Sequence, residues 1–557
     1  MIYKKLFQDD NAPCKLACPA GTDIPHYIRL ISLGKYPEAF AVIYDRNPLP
    51  SVCGRICYSP CEENCHAIYA GGALPIRALE RFVTERFATN RENSFFQRLL
   101  RAESSGKSIA VIGAGPGGLT ASHYLARLGH KVTIFDENSE SGGMIRYGIP
   151  EYRLPRFVLN RDLNLILSEP RIDIKLNNKI ESPMELFDQG YDAIFLATGA
   201  LKPLELEIKK DENINIIDSL SLLKDLNSGR EVRLGNRLAI IGGGKTSVDM
   251  ARVAIRLGSK KVDIIYRRSW EEMPASTEEV KEAINEGIDI YFLTFPTKIT
   301  KQNGILRLEC IRMKLSETDA SGRQRPVPIE GSEFVLEVDT IISALGQVPD
   351  VQMFDILKDK EGRIAISSGF QTSFPGIFSG GDCVTGPSSV IEAIASGRKA
   401  AIAIDKYLGG QGDIPTIVEP DEEELLSTIP REHASGKTSV IAQKSFQERI
   451  STFSEVEITL TDEQAVKEAN RCLWCDLPIF FNPKVCVGCL TCALRCSARC
   501  NQMANPETAR IQITPPDRSA IIGEAEVSFC EDCIGCGICV SSCPYGALSR
   551  AEPGNDA

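Results

Sequence analysis

The chain is expected to be a multidomain α/β protein, with two Rossmann-like dinucleotide-binding domains between a helical N-terminal domain and a small, Cys-rich α+β domain at the C-terminus. Three observations predict this. A strand, a glycine-rich turn, a helix and a second strand run from Lys107 to Asp136, and the same succession returns from Leu238 to Arg268. Of the 20 cysteines, six fall in residues 14–65 and twelve in 472–543, which leaves the middle of the chain nearly free of them. At 557 residues the chain is also too long for one hydrophobic core.

In chain order, residues 1–100 read as helical. Ile28, Ile31 and Leu33, then Ala39, Phe40 and Ile43, recur at helical spacing, and Asn47-Pro48-Leu49-Pro50 ends that segment. A further helix is expected over 76–99. Residues 101–235 and 341–410 form the first dinucleotide domain and 236–340 the second, with strands over 288–340 and a hairpin around Asp319-Ala320-Ser321-Gly322. Residues 411–480 read as a linker, acidic and containing Pro and Ser in its first part, and 481–557 as the C-terminal domain.

The first fingerprint is Gly113-Ala114-Gly115-Pro116-Gly117-Gly118. Its glycines serve a tight turn, the approach of a pyrophosphate to the backbone, and close helix–strand packing. The helix start offers free N–H groups to phosphate. Asp136, ending the second strand, is placed to accept ribose hydroxyls. A glycine-rich turn alone means little, but here strand, helix, strand and acid are all present. Gly380-Gly381-Asp382, after the strand-like Ile377-Phe378-Ser379, fits a second contact to the same dinucleotide, read as FAD.

The second fingerprint is Gly242-Gly243-Gly244-Lys245-Thr246, and its next strand ends in Arg267 and Arg268. An NAD-selective site usually places an acid there. Two arginines suit a 2′-phosphate, so NADP(H) is favoured over NAD(H). In the alternative, these arginines are solvated or pair with Glu271 and Glu272. FAD first and nicotinamide second describe a pyridine-nucleotide:flavin electron-transfer unit.

A net charge of −11 argues against nucleic acid and anionic membranes as partners. No run of eighteen apolar residues exists, so no membrane span is expected, and Met1 to Cys14 lacks an apolar signal core. A cytoplasmic protein is the expectation, and its cysteines then belong to metal clusters rather than disulfides. Cys486-x2-Cys489-x2-Cys492-x3-Cys496 and Cys533-x2-Cys536-x2-Cys539-x3-Cys543-Pro544 have bacterial ferredoxin spacing, in which the fourth cysteine of each run ligates the other cluster. One 4Fe–4S cluster then takes Cys486, Cys489, Cys492 and Cys543, and its neighbour Cys533, Cys536, Cys539 and Cys496. Cys500 and Cys530 are left over and substitute if the register differs.

Val132 to Asp136, Gly142-Gly143, Tyr147-Gly148-Ile149-Pro150, Arg153-Leu154-Pro155, Thr198-Gly199, residues 242–275 and Gly380-Gly381-Asp382 together resemble the small (beta) subunit of glutamate synthase. The wider group includes the N-terminal half of dihydropyrimidine dehydrogenase and the large subunit of NADH-dependent ferredoxin:NADP oxidoreductase. The resemblance covers roughly residues 10–410. Two departures stand out: Asp136 where Glu is common, and Lys245 where Asn is usual.

The resemblance implies one N-terminal cluster on Cys18, Cys57, Cys61 and the carboxylate of Glu80, with a helix-surface acid as the alternative for Glu80. A second family cluster uses positions matching Cys14 and Cys65 plus two upstream cysteines that this chain lacks. The family's words EAxRCLxC, which carry that pair, occur instead at Glu468 to Cys475. Residues 461–476 are therefore expected to return to the N-terminal domain, giving a cluster on Cys14, Cys65, Cys472 and Cys475. In the competing assignment Cys472 and Cys475 serve a zinc site or the tail.

Four 4Fe–4S clusters, FAD and NADP(H) are thus expected, with no organic-substrate nucleophile or base pair beyond the cofactors. The expected function is the NAD(P)H-linked electron-transfer subunit of a larger complex, or an NAD(P)H:ferredoxin oxidoreductase, with electron bifurcation open. Ferredoxin or a partner redox subunit, such as an aldehyde oxidoreductase subunit, would complete a hetero-oligomer. The alternatives are a glutamate synthase small subunit and a non-catalytic, cluster-bearing scaffold.

Overall fold

The computed structural model describes residues 4–7, 12–89, 102–318, 322–350, 359–360, 362–417, 437–477, 479–515, 525–530, 533 and 535–550. The chain divides into two compact units. One comprises residues 101–414 and 443–458; the other comprises 1–100, 415–442 and 459–557.

The first unit carries two parallel five-stranded sheets. Ser108–Ile112 lies at the centre of one, in the order Ile377–Ser379, Ala193–Leu196, Ser108–Ile112, Lys131–Phe135, Ile172–Lys175. Strands buried on both faces explain why Ile109 to Ile112 and Val132 to Phe135 are continuous apolar runs rather than alternating ones. The helix Pro116–Arg127 follows at once, with Pro at its first position, where a missing N–H costs nothing. It packs against Val390–Tyr407 so closely that a side chain at Gly397 would run into the carbonyl of Gly117.

The second sheet has the order Asp289–Tyr291, Lys261–Ile265, Arg237–Ile241, Thr340–Ser343, Ile217–Asp218, also all parallel. Its last two strands come from outside or at the edge of 236–340, because register rather than chain position decides which sheet they join. An antiparallel layer stands beside it. Ile305–Thr318 pairs with Thr294–Gln302, Gln324–Pro328 and Phe334–Val338. The expected hairpin has its arms in Ile305–Thr318 and Gln324–Pro328, while its turn, 319–321, lies outside the described residues. The helix Lys245–Arg256 is tied to Thr277–Asn285 and the residue after it by buried ion pairs from Arg252 and Arg256 to Glu286 at 2.7 Å.

The second unit begins with helices Ile24–Ser32, Tyr36–Arg46, Pro50–Ile56 and Ile76–Thr89. The break between the second and third falls at Asn47 to Leu49, where the proline-bearing segment was expected to stop a helix. The remainder of the 76–99 helix lies outside the described residues. One element is not helical: Lys4–Phe7 is a strand, paired antiparallel with Ile479–Phe481, which in turn pairs with Leu548–Ser549.

The helix Asp462–Ala469 packs on Ile24–Ser32 and Ile76–Thr89. Arg29 forks onto both oxygens of Asp476 at 3.0 and 2.9 Å and covers the ring of Trp474. Arg471 pairs with Glu468 at 2.6 Å and donates to the carbonyl of Gly72. Charge-assisted hydrogen bonds of this kind are stronger than neutral ones. The C-terminal segment adds the helix Thr491–Asn501, the hairpin Ile511–Thr514 with Glu526–Phe529, and the short helix Ile538–Ser541. Its core is small and made largely of cysteine side chains and their neighbours, including Cys492, Cys496, Cys536 and Cys539. No described helix is long and apolar enough to cross a membrane.

Candidate functional site

At the C-terminal edge of the first sheet, Gly113 turns with φ +109°, and a Cβ there would strike the carbonyl of Ala197. Gly118 leaves no room either, since its Cβ would overlap the carbonyl oxygen of Gly113. Gly115 caps the helix in extended conformation, so the first N–H groups of Pro116–Arg127 face outward without a side-chain cap. Gly143 closes on the Cα of Gly115 from the next loop.

A cavity of about 660 Å³ opens here, lined by Gly113, Asp136, Asn138, Lys179 and Thr198 among others. Asp136 is buried at its rim and accepts N–H groups from Ala114 at 2.7 Å and Asn138 at 2.8 Å. The hydroxyl of Thr198 is buried without a hydrogen-bond partner, as expected of a group that awaits a ligand. Gly381 (φ +78°) donates its N–H to the Ser396 hydroxyl, and Asp382 accepts from both the backbone and hydroxyl of Ser388. Burial pushes the Asp382 carboxyl up, and the bonds from Ser388 oppose this. The helix beyond begins at Val390, with a capping box between Ser389 and Glu392. Backbone, orphan hydroxyl and cavity size all fit a bound dinucleotide.

The second sheet repeats this arrangement around a cavity of about 580 Å³. Gly242 has φ +146°, and a Cβ would meet the carbonyl of Ala344; one at Gly243 would meet the ring of Tyr266. Gly244 caps the helix that Lys245 and Thr246 begin. Lys245 lies close enough to Glu279 for its charge to help hold that carboxyl below the usual range, with Arg153 the nearer cation and burial opposing both. Arg267 and Arg268 both line the cavity but differ. Arg268 is buried and donates to the carbonyl of Gln324 at 2.9 Å, while Arg267 is exposed and, among the described residues, forms no ion pair with Glu271 or Glu272. Arg323, on the hairpin, is a third cation on this wall that sequence reasoning missed. It stands just before the arm Gln324–Pro328, and no local motif marks it as facing a cavity.

In the second unit the thiols fall into groups. Cys14, Cys65, Cys472 and Cys475 line one cavity with His66, Ile24 and Leu74. Burial pushes the Cys14 thiol well up, and Cys475 and Cys65 are the next contributors. Burial likewise raises Cys57 to about 12, with Glu80 and Cys18 adding to it, and raises Cys61, where Cys18, Cys57 and Glu80 again contribute. Glu80 therefore faces the thiols. Asn47, itself buried, donates to its Oε1 at 2.9 Å.

Cys486, Cys489, Cys492 and Cys543 line a third cavity with Val487 and Tyr545. Burial lifts Cys492 to about 11, and Cys543, Cys486 and Cys489 contribute. Burial raises the Cys539 thiol, with Cys536 and Cys533 adding to it, and raises Cys496 to about 11, with Cys500 and Cys536 adding to it. All twenty cysteines are free. Burial first, and the neighbouring thiols second, favour the protonated form of these side chains in the absence of metal, and grouped soft sulfur donors of this kind suit polynuclear metal groups. Among the described residues no three metal-binding side chains converge tightly enough for a single ion. Cys310 and Cys383 lie elsewhere, buried, with Cys383 against Ser379 and the carbonyl of Gly380.

Comparison with known proteins gives a consistent pattern. The pyridine nucleotide-disulphide oxidoreductase family profile matches residues 107–397. That of dihydropyrimidine dehydrogenase domain II, 4Fe-4S cluster, matches 6–92, and a 4Fe-4S binding domain matches 531–549. The chain is 38% identical over 500 residues to the NADP(+)-dependent formate dehydrogenase subunit beta of Moorella thermoacetica, covering 84% of this chain and 70% of the relative. It is 35% identical over 510 residues to the NADPH-Fe(3+) oxidoreductase subunit beta of Geobacter sulfurreducens, covering 84% and 75%. It is 34% identical over 423 residues to the glutamate synthase [NADPH] small chain of Escherichia coli, covering 72% and 89%.

Proposed function

The chain belongs to the pyridine nucleotide-disulphide oxidoreductase family, and from that premise we infer that it is the NADP(H)-linked electron-transfer subunit of a larger oxidoreductase. It is an iron–sulfur flavoprotein oxidoreductase. The observation that carries the finer reading is the pairing of two glycine-cradled dinucleotide cavities in one unit with grouped buried thiols in the other.

When bound, FAD supplies the exchange between two-electron hydride chemistry and single electrons. Gly113 to Gly118 would hold its pyrophosphate against the first helix, Asp136 its ribose, and Gly381 and Asp382 the opposite side. Gly242 to Gly244 and Thr246 would hold the nicotinamide dinucleotide. Arg267 and Arg323, with Arg268 fixed behind them, would take a 2′-phosphate. Four 4Fe–4S clusters are assigned: to Cys18, Cys57, Cys61 and Glu80; to Cys14, Cys65, Cys472 and Cys475; to Cys486, Cys489, Cys492 and Cys543; and to Cys533, Cys536, Cys539 and Cys496. The partner is a catalytic subunit with its own redox centre, for which this chain supplies no organic-substrate machinery.

The choice of nucleotide is testable on the wild-type protein and two variants. NADPH should bleach the flavin anaerobically at far lower concentration than NADH. A charge-assisted hydrogen bond contributes about 1.5–3 kcal/mol. Arg267→Ala and Arg323→Ala should therefore each weaken half-saturation by NADPH about 10- to 100-fold and leave that by NADH nearly unchanged. Equal losses for both nucleotides, or none for either, would remove the 2′-phosphate assignment. No bleaching by either nucleotide would remove the functional reading itself.

A further inference from the structure

Arg550 is the last basic residue of the described chain and is 2% exposed. Its Nη1 donates to the carbonyl of Leu477 and its Nη2 to that of Gly535, while Nε is buried without a partner. No carboxylate pairs with it among the described residues. A guanidinium cannot lose its proton to escape burial, so an unpaired one needs an anion nearby.

What surrounds it are two sets of thiols. Leu477 follows Cys475 by two residues, and Gly535 precedes Cys536. Cys475 Sγ contacts the carbonyl of Cys536 at 3.6 Å, so the loop bearing Cys472 and Cys475 abuts the one bearing Cys533, Cys536 and Cys539. Gly537, at φ +74°, has no space for a side chain, since a Cβ would lie 2.7 Å from Arg550 Nη2 and 3.2 Å from the carbonyl of Leu473. Arg550 thus stands at the seam between the two loops, held in place by a main-chain carbonyl from each.

We propose that Arg550 is a positioning residue for two clusters at once: it clamps the Cys472–Cys475 loop to the Cys533–Cys539 loop and, as their shared buried cation, favours the reduced form of the clusters they hold. The cluster assignment of the preceding section underlies this. Net charge and hydrogen bonding around a cluster set its reduction potential, and a fixed positive charge in a dry site stabilises added negative charge most. The seam would thereby be the point where the N-terminal clusters and those of the tail communicate, with their potentials tuned together.

The test compares Arg550→Gln and Arg550→Lys in the full-length holoprotein, by iron and sulfide analysis and EPR-monitored redox titration. Arg550→Gln should shift the midpoints of two clusters to more negative potential, and Arg550→Lys should restore them most of the way. If Arg550→Gln instead sheds iron, loss confined to two clusters, with flavin retained and reversal in Arg550→Lys, supports the clamp. Full iron content with wild-type midpoints in Arg550→Gln would overturn the proposal, as would general loss of every cluster in both variants. A failure of the underlying assignment is separately visible: substitution of Cys472 and Cys475 would then leave cluster content intact, whatever Arg550 does.

Discussion

Protein carrying Cys472→Ser together with Cys475→Ser is expected to lose about a quarter of its iron and sulfide, one cluster of four. The two thiols lie some four hundred residues from Cys14 and Cys65 in sequence but line one cavity with them. A thiolate-bound cluster does not survive on two thiolates. Serine is close to cysteine in size and is not a soft ligand, so packing changes little while ligation is lost. The anchors that bring the segment there, Arg29 on Asp476 and Arg471 on Glu468, do not involve either thiol, and the fold should persist. Iron and acid-labile sulfide per chain, normalised to flavin, measure the outcome. Retention of all the iron assigns these thiols elsewhere.

The second large effect is expected at Gly113. In Gly113→Ala the left-handed backbone alone costs about 1–3 kcal/mol. The new methyl group would also overlap the carbonyl of Ala197, which is backbone just past the neighbouring strand Ala193–Leu196, held by its N–H on Ile112, and cannot rotate away. The turn must open, and with it the ring of N–H groups that faces the pyrophosphate. Since about 1.4 kcal/mol is tenfold in affinity, the variant should purify with less than about a tenth of the wild-type flavin. Gly229→Ala is the control. Its φ is +77° and nothing lies within 4 Å of its Cβ, so it bears the strain without the collision. It should retain flavin with somewhat lower thermal stability. Equal flavin content in both variants would mean that the turn at Gly113 is not a cofactor cradle.

Both dinucleotide motifs were legible in the sequence because their signals are local. Strand, turn and helix occupy about twenty consecutive residues, and Gly113 and Gly242, which the fingerprints mark, are among the glycines that cannot accept a Cβ. The tail's cysteine spacing was legible for the same reason. What local pattern did not reveal depends on pairing at a distance. Ile217–Asp218 is too short to show any period, and its place in the second sheet follows only from its register with Thr340–Ser343. Lys4–Phe7 is likewise short and lies in a polar stretch, and only its pairing with Ile479–Phe481 makes it a strand.

Charged side chains were hardest to read. Arg267 and Arg268 look equivalent as neighbours in sequence, yet one is exposed at the cavity and the other is buried against Gln324. Arg323 joins them through a hairpin. Arg550 contacts carbonyl groups rather than acids, so no charge pattern in the sequence could have indicated it. Glu80 carried two readings in the sequence, ligand or surface acid. Its bond from Asn47 and its proximity to Cys57 and Cys61 are the structural observations that favour an inward role.

The central claim is that one chain takes electrons from NADPH and delivers them singly to iron–sulfur clusters. Anaerobic addition of NADPH to the purified holoprotein, followed by optical spectroscopy and low-temperature EPR on the same sample, tests it most directly. Bleaching of the flavin together with the appearance of reduced-cluster signals is the predicted result, with both reduced in proportion to flavin content in the flavin-poor Gly113→Ala protein. Flavin bleaching with clusters that stay oxidised in wild-type protein, although redox titration places their midpoints above the flavin's, would contradict it.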